Sequence, residues 1–251
     1  MMFRLKAFSL HLLGSAAALT LILGTLYLGW YRWPGWYLAE AARVVAVLIG
    51  VDLVLGPLMT FVIASNKKGR RELTRDIGII VAMQVSALIY GSTSLWNGRP
   101  LYYAFSETVL QLVQAYEINA GAAELGREQN AGLAPHWYSL PRWIWVPLPT
   151  DGEEAQKIIA DAISGGADVT SMPKYFKPWD QGLPSLRQRL NKVDDVPYFS
   201  PVEKKKLKER LQAAGLSTDQ LNTMTFTGKG NPVLAVFDLA NLKIIGIFKA
   251  G

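Results

Sequence analysis

One carboxylate in this 251-residue chain stands where carboxylates are costly. Asp52 lies inside residues 44–64, a run of 21 positions with no other charge. An ionised side chain there costs about 2.5–3.5 kcal/mol on insertion scales, so it must be protonated or face protein, water or a partner. Gln84 occupies a second uncharged run, residues 77–96. Counted from the basic segment that separates the two runs, Asp52 is about 18 Å along its helix and Gln84 about 12 Å along its own. Gly50 and Gly56 permit close helix approach. Pro57 withdraws a backbone N–H, frees the carbonyl of Leu53 and kinks the helix. Two readings stay open: an internal Asp52–Gln84 clasp, and contact with another transmembrane helix. A proton or ion path is a third, although one carboxylate does not make a relay.

Other residues that could do chemistry have plainer readings. His136 and Ser139 sit close together, but a hydrolase also needs an orienting acid, and nothing local supplies it. His136 reads as a surface or interface histidine, and His11 as interfacial. Lys204, Lys205 and Lys206, with Lys208 and Arg210, form the solvated face of a helix whose Leu207, Leu211 and Ala214 turn inward. Attraction of that face to anionic lipid or an acidic partner is the secondary reading. Glu153-Glu154 suits a helix N-terminus and Asp194-Asp195 a turn. Gly228-Lys-Gly-Asn-Pro232 lacks the P-loop pattern. The chain has no cysteine, which excludes disulfide scaffolds, thiolate metal sites and cysteine nucleophiles. No enzyme signature emerges, and the reading is a non-catalytic protein without cofactor or metal.

The elements that must position Asp52 are membrane helices. Residues 7–30, 44–64 and 77–96 are apolar nearly all round, and at about 1.5 Å per residue each reaches about 30–36 Å, enough for a hydrocarbon core of about 30 Å. Residues 16–18 imitate a signal-peptide cleavage site, but the apolar stretch continues past them for twelve residues, so an uncleaved anchor is expected. Lys67, Lys68, Arg70, Arg71 and Arg75 cluster between the second and third runs, and Arg4 and Lys6 precede the first. The positive-inside rule makes the N-terminus and the 65–76 loop cytoplasmic, and places residues 97–251 across the membrane. Trp30, Tyr31, Trp33, Trp36, Tyr37, Trp96, Tyr102 and Tyr103 fall at the opposite interface, which is the same answer. Nine of the 26 basic residues but only four of the 20 acidic ones lie in residues 1–95, so the excess positive charge belongs to the membrane region and not to a nucleic-acid footprint.

Residues 97–251 predict one α+β domain. Strands are expected at 101–105, 108–115 and 143–146. A capping box at Asp151 and Glu154 opens a helix over 152–163. Ser200, Pro201 and Glu203 open a second helix that stops at Gly215, and a third short helix begins at Ser217. Residues 233–239 and 243–248 read as a hairpin, and 121–134, rich in Gly and Ala, as a loop. Strands, then helices, then strands favour a mostly antiparallel sheet with short helices.

Three segments carry a family likeness: Gly50-Val-Asp-Leu-Val-Leu-Gly-Pro-Leu58, the basic segment through Glu72-Leu-Thr-Arg-Asp76, and Tyr90-Gly91 followed by Arg99-Pro100 and Phe105. With Val113-Gln-Ala-Tyr-Glu-Ile118 they resemble the type IV pilin accessory proteins of the TfpX/TfpZ kind. After Phe105 the chain departs from the family pattern, with Glu107-Thr108 where an Asp-Arg pair is expected. The resemblance implies a multi-pass protein of the bacterial inner membrane with a periplasmic domain. Such a protein acts on the major pilin, on its transmembrane helix and its head, and touches the pilus assembly machinery. Within the membrane Asp52, Gly56 and Pro57, with Gln84 from the depth argument, are the expected partner contacts. Tyr90, Arg99, Pro100 and Phe105 would bind or position at the outer junction. A membrane-anchored sensor with a ligand-binding outer domain is the alternative, weakened by how little chain lies on the inner side.

Overall fold

A computed structural model of the chain describes residues 1–65, 69–217, 222–238 and 240–250. It divides into two compact units, Met1–Arg32 with Glu40–Gly98, and Trp33–Ala39 with Arg99–Gly251.

The first unit holds three helices long and apolar enough to cross a membrane: α1 Met2–Gly29, α2 Ala41–Ile63 and α3 Arg70–Asn97. Their lengths are about 42, 35 and 42 Å at the α-helical rise. Side chains from both ends of the bundle hold them together. Arg4 Nε donates to the carbonyl of Ala64 just past α2 at 2.8 Å, satisfying a helix-end acceptor that has no partner in its own helix. At the other end Tyr31 Oη donates to the Leu95 carbonyl at 2.7 Å, and the rings of Trp30 and Trp96 meet edge-on at 5.1 Å. Between them α2 and α3 touch where Leu48 covers Gly91; a Cβ there would run into the Leu48 side chain. Because α3 begins at Arg70, Arg70, Arg71 and Arg75 are exposed residues on its first turns and not members of a loop running over 65–76. Lys67 and Lys68 lie outside the described residues.

The second unit is built on a seven-stranded sheet in the order β4-β3-β1-β2-β5-β6-β7. The strands are β1 Pro100–Ser106, β2 Val109–Gln114, β3 Arg142–Trp145, β4 Lys177–Pro178, β5 Asn222–Thr227, β6 Val233–Phe237 and β7 Ile244–Lys249. The sheet is mixed: four of its six strand pairings are antiparallel, in keeping with the mostly antiparallel expectation, while β1 pairs with β3, and β2 with β5, in parallel. Both faces are covered, so the central strands β1 and β6 are buried along their whole length. Tyr103 and Phe105 enter one core with Leu110, Met224 and Phe226, while Tyr102 and Ala104 enter the opposite one with Val113 and Ile144. Such two-sided burial turns alternation into an unbroken apolar run. Burial pushes the Tyr102 and Tyr103 phenols up to about 12.

Among the described residues the short helix Gly35–Leu38 and four longer ones dress the sheet: α4 Ala120–Gln129, α5 Gly152–Ile163, α6 Leu183–Arg189 and α7 Pro201–Ala213. The stretch expected as a loop over 121–134 is therefore mostly helix. Asn119 caps it through Oδ1 to the Ala122 N–H at 2.8 Å, and the absence of a side chain at Gly126 lets it press on Pro173. α7 starts at the cap the sequence predicts; α5 starts at Asp151, but the expected box does not close, because the Glu154 carboxylate accepts from Lys174 and Tyr175. The short helix expected from Ser217 falls on residues outside the described set, as does Leu239 at the end of the first hairpin strand. Ser200 and Glu203 cap α7 reciprocally, and these bonds hold the Glu203 carboxyl below its ordinary range. Its contribution is therefore present above the unfolded value near 4.5 and lost as pH falls through the lowered folded value. Ser200→Ala should lower the unfolding free energy of the second unit by about 1 kcal/mol at neutral pH, and the deficit should shrink in acid, as denaturant titration of the full chain would read.

Candidate functional site

Asp52 sits in a short π-helical stretch, Gly50–Leu55, inside α2. The register shift explains much of the local chemistry. The Gly56 N–H bonds back to the Val51 carbonyl, five residues earlier. In that register the donor due to the Asp52 carbonyl is residue 57, and Pro57 has none. The missing bond comes from another helix: Gln84 Nε2 of α3 donates to the Asp52 carbonyl at 3.2 Å, with Asp52 Oδ1 at 3.5 Å. Gly56 makes room, because any Cβ there would overlap the Gln84 amide. The clasp is thus mainly side chain to backbone, and the carbonyl in need is that of Asp52, not of Leu53. Gly50 plays no part, since a Cβ on it would meet nothing.

Two oxygens are left over. Asp52 Oδ2 and Gln84 Oε1 are buried without a hydrogen-bond partner, on residues only 2% and 7% exposed. Both residues line a crevice of about 440 Å³ whose walls are Leu10, Gly14 and Ala18 of α1 and Val81, Val85 and Leu88 of α3. Thr60 and His11 also border it, and His11 Nδ1 lies 2.6 Å from Thr60 Oγ1. His11 therefore turns into the bundle, contrary to its interfacial reading. The walls belong to α1 and α3, whereas the sequence pointed to the second and third spans. The missed wall left a trace: Gly14, Ser15 and Ala18 put small residues on one face at helical spacing. An apolar cleft with unpaired acceptors at its floor suits an apolar segment that brings one hydrogen-bond donor.

Most of the remaining motif residues serve packing. Tyr90 is exposed on α3, while its neighbour Gly91 makes the helix contact. Arg99 is buried and donates through Nη2 to the Trp137 carbonyl at 3.1 Å. Pro100 opens β1, where no ladder bond is lost, and Phe105 is core. Gln114–Glu117 closes into a capped 3-10 turn, with the Gln114 N–H on Glu117 Oε2 at 2.6 Å and Tyr116 Oη on Gln114 Oε1 at 3.0 Å. Burial raises the Glu117 carboxyl despite those bonds. Glu107, at the departure from the family pattern, sits 3.6 Å from Arg189. Asp52, Gly56, Pro57 and Gln84 thus come together, whereas Tyr90 belongs to the first unit and Arg99, Pro100 and Phe105 to the second.

The chain is similar to the fimbrial assembly protein of serogroup I from Dichelobacter nodosus, with 29% identity over 223 residues, 87% of this chain and 84% of the relative. The serogroup E1 protein of the same organism is 26% identical over 226 residues, with the same coverage of each. The serogroup C1 and C2 protein is 26% identical over 117 residues, 47% of this chain and 89% of its own length. No family model and no solved structure matches. Two relatives that cover most of the chain, and a third that covers about half, share the name fimbrial assembly protein and support a type IV pilus-related family.

Proposed function

We propose that the protein is a non-catalytic accessory factor of the bacterial inner membrane that holds the major type IV pilin while pili are assembled. The relatives' shared name supports a role in pilus assembly. One observation supports the choice of partner, the crevice between α1 and α3 with Asp52 Oδ2 and Gln84 Oε1 unpaired at its floor. Lipid tails would fill that space but leave both oxygens unsatisfied. An apolar helix carrying a donor fills the space and satisfies them. A pilin before assembly is a long apolar helix with a globular head. In this reading the helix lies in the crevice, the head meets the periplasmic unit, and the N-terminus and the basic start of α3 are cytoplasmic.

Photocrosslinking in living cells tests it. A crosslinker at Ala18 or Val85, on the crevice walls, should give a pilin adduct, and one at Met83, exposed on another face of α3, should not. Pilin adducts of equal yield from all three positions, or none, would remove the docking role.

A further inference from the structure

The second unit runs into apolar helices at three points: Trp33 follows α1, Ala39 precedes α2, and Arg99 comes two residues after the end of α3. If those helices cross a bilayer, these attachments lie at its surface. Arg99 is buried, and its bond to the Trp137 carbonyl fixes the segment 135–140 to the third attachment. That segment is a preformed turn, closed by the His136 N–H on Ser139 Oγ at 2.8 Å and the Ser139 N–H on the His136 carbonyl at 3.1 Å. His136 stacks on Tyr138 at 5.5 Å, and Trp137 meets Tyr138 edge-on at 5.6 Å. Trp137, Tyr138 and Leu140 are nevertheless 74%, 59% and 58% exposed.

Residues 135–141 carry no Asp, Glu, Lys or Arg, so nothing charged resists entry into a headgroup layer. Trp and Tyr are the side chains that layer favours, with the ring in the apolar zone and the polar edge in water. The interfacial zone is about 5–8 Å deep on each side, within reach of side chains on a turn held to a residue at the membrane surface. We infer that the turn 135–140 inserts Trp137, Tyr138 and Leu140 into the lipid headgroup region as a non-covalent anchor of the outer unit. The anchor rests on the membrane-spanning reading of α1, α2 and α3 but not on the identity of the pilin partner.

The chain has no native cysteine, so single-cysteine labelling is clean. Full-length Leu140→Cys, labelled with a polarity-sensitive fluorophore, would be reconstituted alone in phosphatidylethanolamine–phosphatidylglycerol vesicles containing headgroup-level nitroxide lipid. Ile163→Cys, 83% exposed on α5, is the aqueous reference, and Met83→Cys, 64% exposed on α3, with tail-level nitroxide lipid, reports the helices. The expected result is blue-shifted emission and several-fold steeper quenching at 140 than at 163. Trp137→Ser with Tyr138→Ser should reduce the quenching at 140 to the reference level while circular dichroism stays unchanged. A probe at 140 as wet as that at 163, with Met83→Cys quenched, overturns the anchor alone. Shielding at 140 that appears only when another protein is added overturns it as well. An unquenched Met83→Cys overturns the anchor together with the spanning reading.

Discussion

Asp52→Leu should leave the protein at wild-type level or above and still lower pilin co-purification and surface piliation by about tenfold or more. The two halves of that result have one cause. A buried carboxylate with an unpaired oxygen is a cost to the folded bundle, and leucine removes it. The same substitution removes an acceptor from the crevice floor. A hydrogen bond to a charged group is worth about 1.5–3 kcal/mol, which corresponds to a factor of about ten to a hundred in binding. Asp52→Asn, which keeps an acceptor oxygen and the volume, should fall between leucine and wild type. Quantitative immunoblots of membrane fractions, pilin recovery after mild detergent extraction, and counts of surface pili read the three quantities. Normal piliation with leucine at 52 would mean the floor of the crevice meets no donor. Loss of the protein itself would assign Asp52 to stability and not to docking.

The three long apolar helices and the caps could be read from the sequence because each rests on local rules. An uncharged run of twenty residues has few fates, and Asp151 and Ser200 announce their helices within four residues. The sheet was harder. β5 reads Asn-Thr-Met-Thr-Phe-Thr and looks too polar for a strand with both faces covered, yet Thr223 and Thr225 are fully buried. Their hydroxyls donate to the Asn191 and Pro197 carbonyls at 2.8 and 2.9 Å, contacts about thirty residues away that no window reveals. With β5 unseen, the parallel β2–β5 pair was out of reach, although the mostly antiparallel character of the sheet was legible. The same limit applied to the site. Depth counting brought Asp52 and Gln84 together, but choosing the Asp52 carbonyl over that of Leu53 requires the π register. That register depends on the Gly56–Val51 bond, which composition does not encode.

Gln84→Leu should do what Asp52→Leu does not, and lower the stability of the helical unit. It deletes the donor on which the Asp52 carbonyl depends and strands that carbonyl in an apolar setting. Unpaired buried groups cost about 1–3 kcal/mol in soluble cores, and bonds between membrane helices average nearer 0.6, with an upper end near 2. Pro57→Ala should rescue the loss. With an N–H at 57, α2 can close its own ladder, either in the π register from residue 57 to Asp52 or by relaxing to an α-helix in which Gly56 serves Asp52. The two substitutions should then be non-additive by about 1 kcal/mol, the double variant being more stable than the sum of the singles allows. Unfolding of all four proteins in mixed micelles, followed by circular dichroism, measures that coupling. Strict additivity would mean that Gln84 and Pro57 act on different groups. The rescued double variant carries a second lesson, because Pro57→Ala also lets Asp52 rotate with the relaxing helix. If docking needs the carboxylate aimed into the crevice, the double variant should regain stability without regaining pilin. Proline at 57 then spends helix stability to aim Asp52, and Gln84 holds the exposed carbonyl that the aim leaves behind.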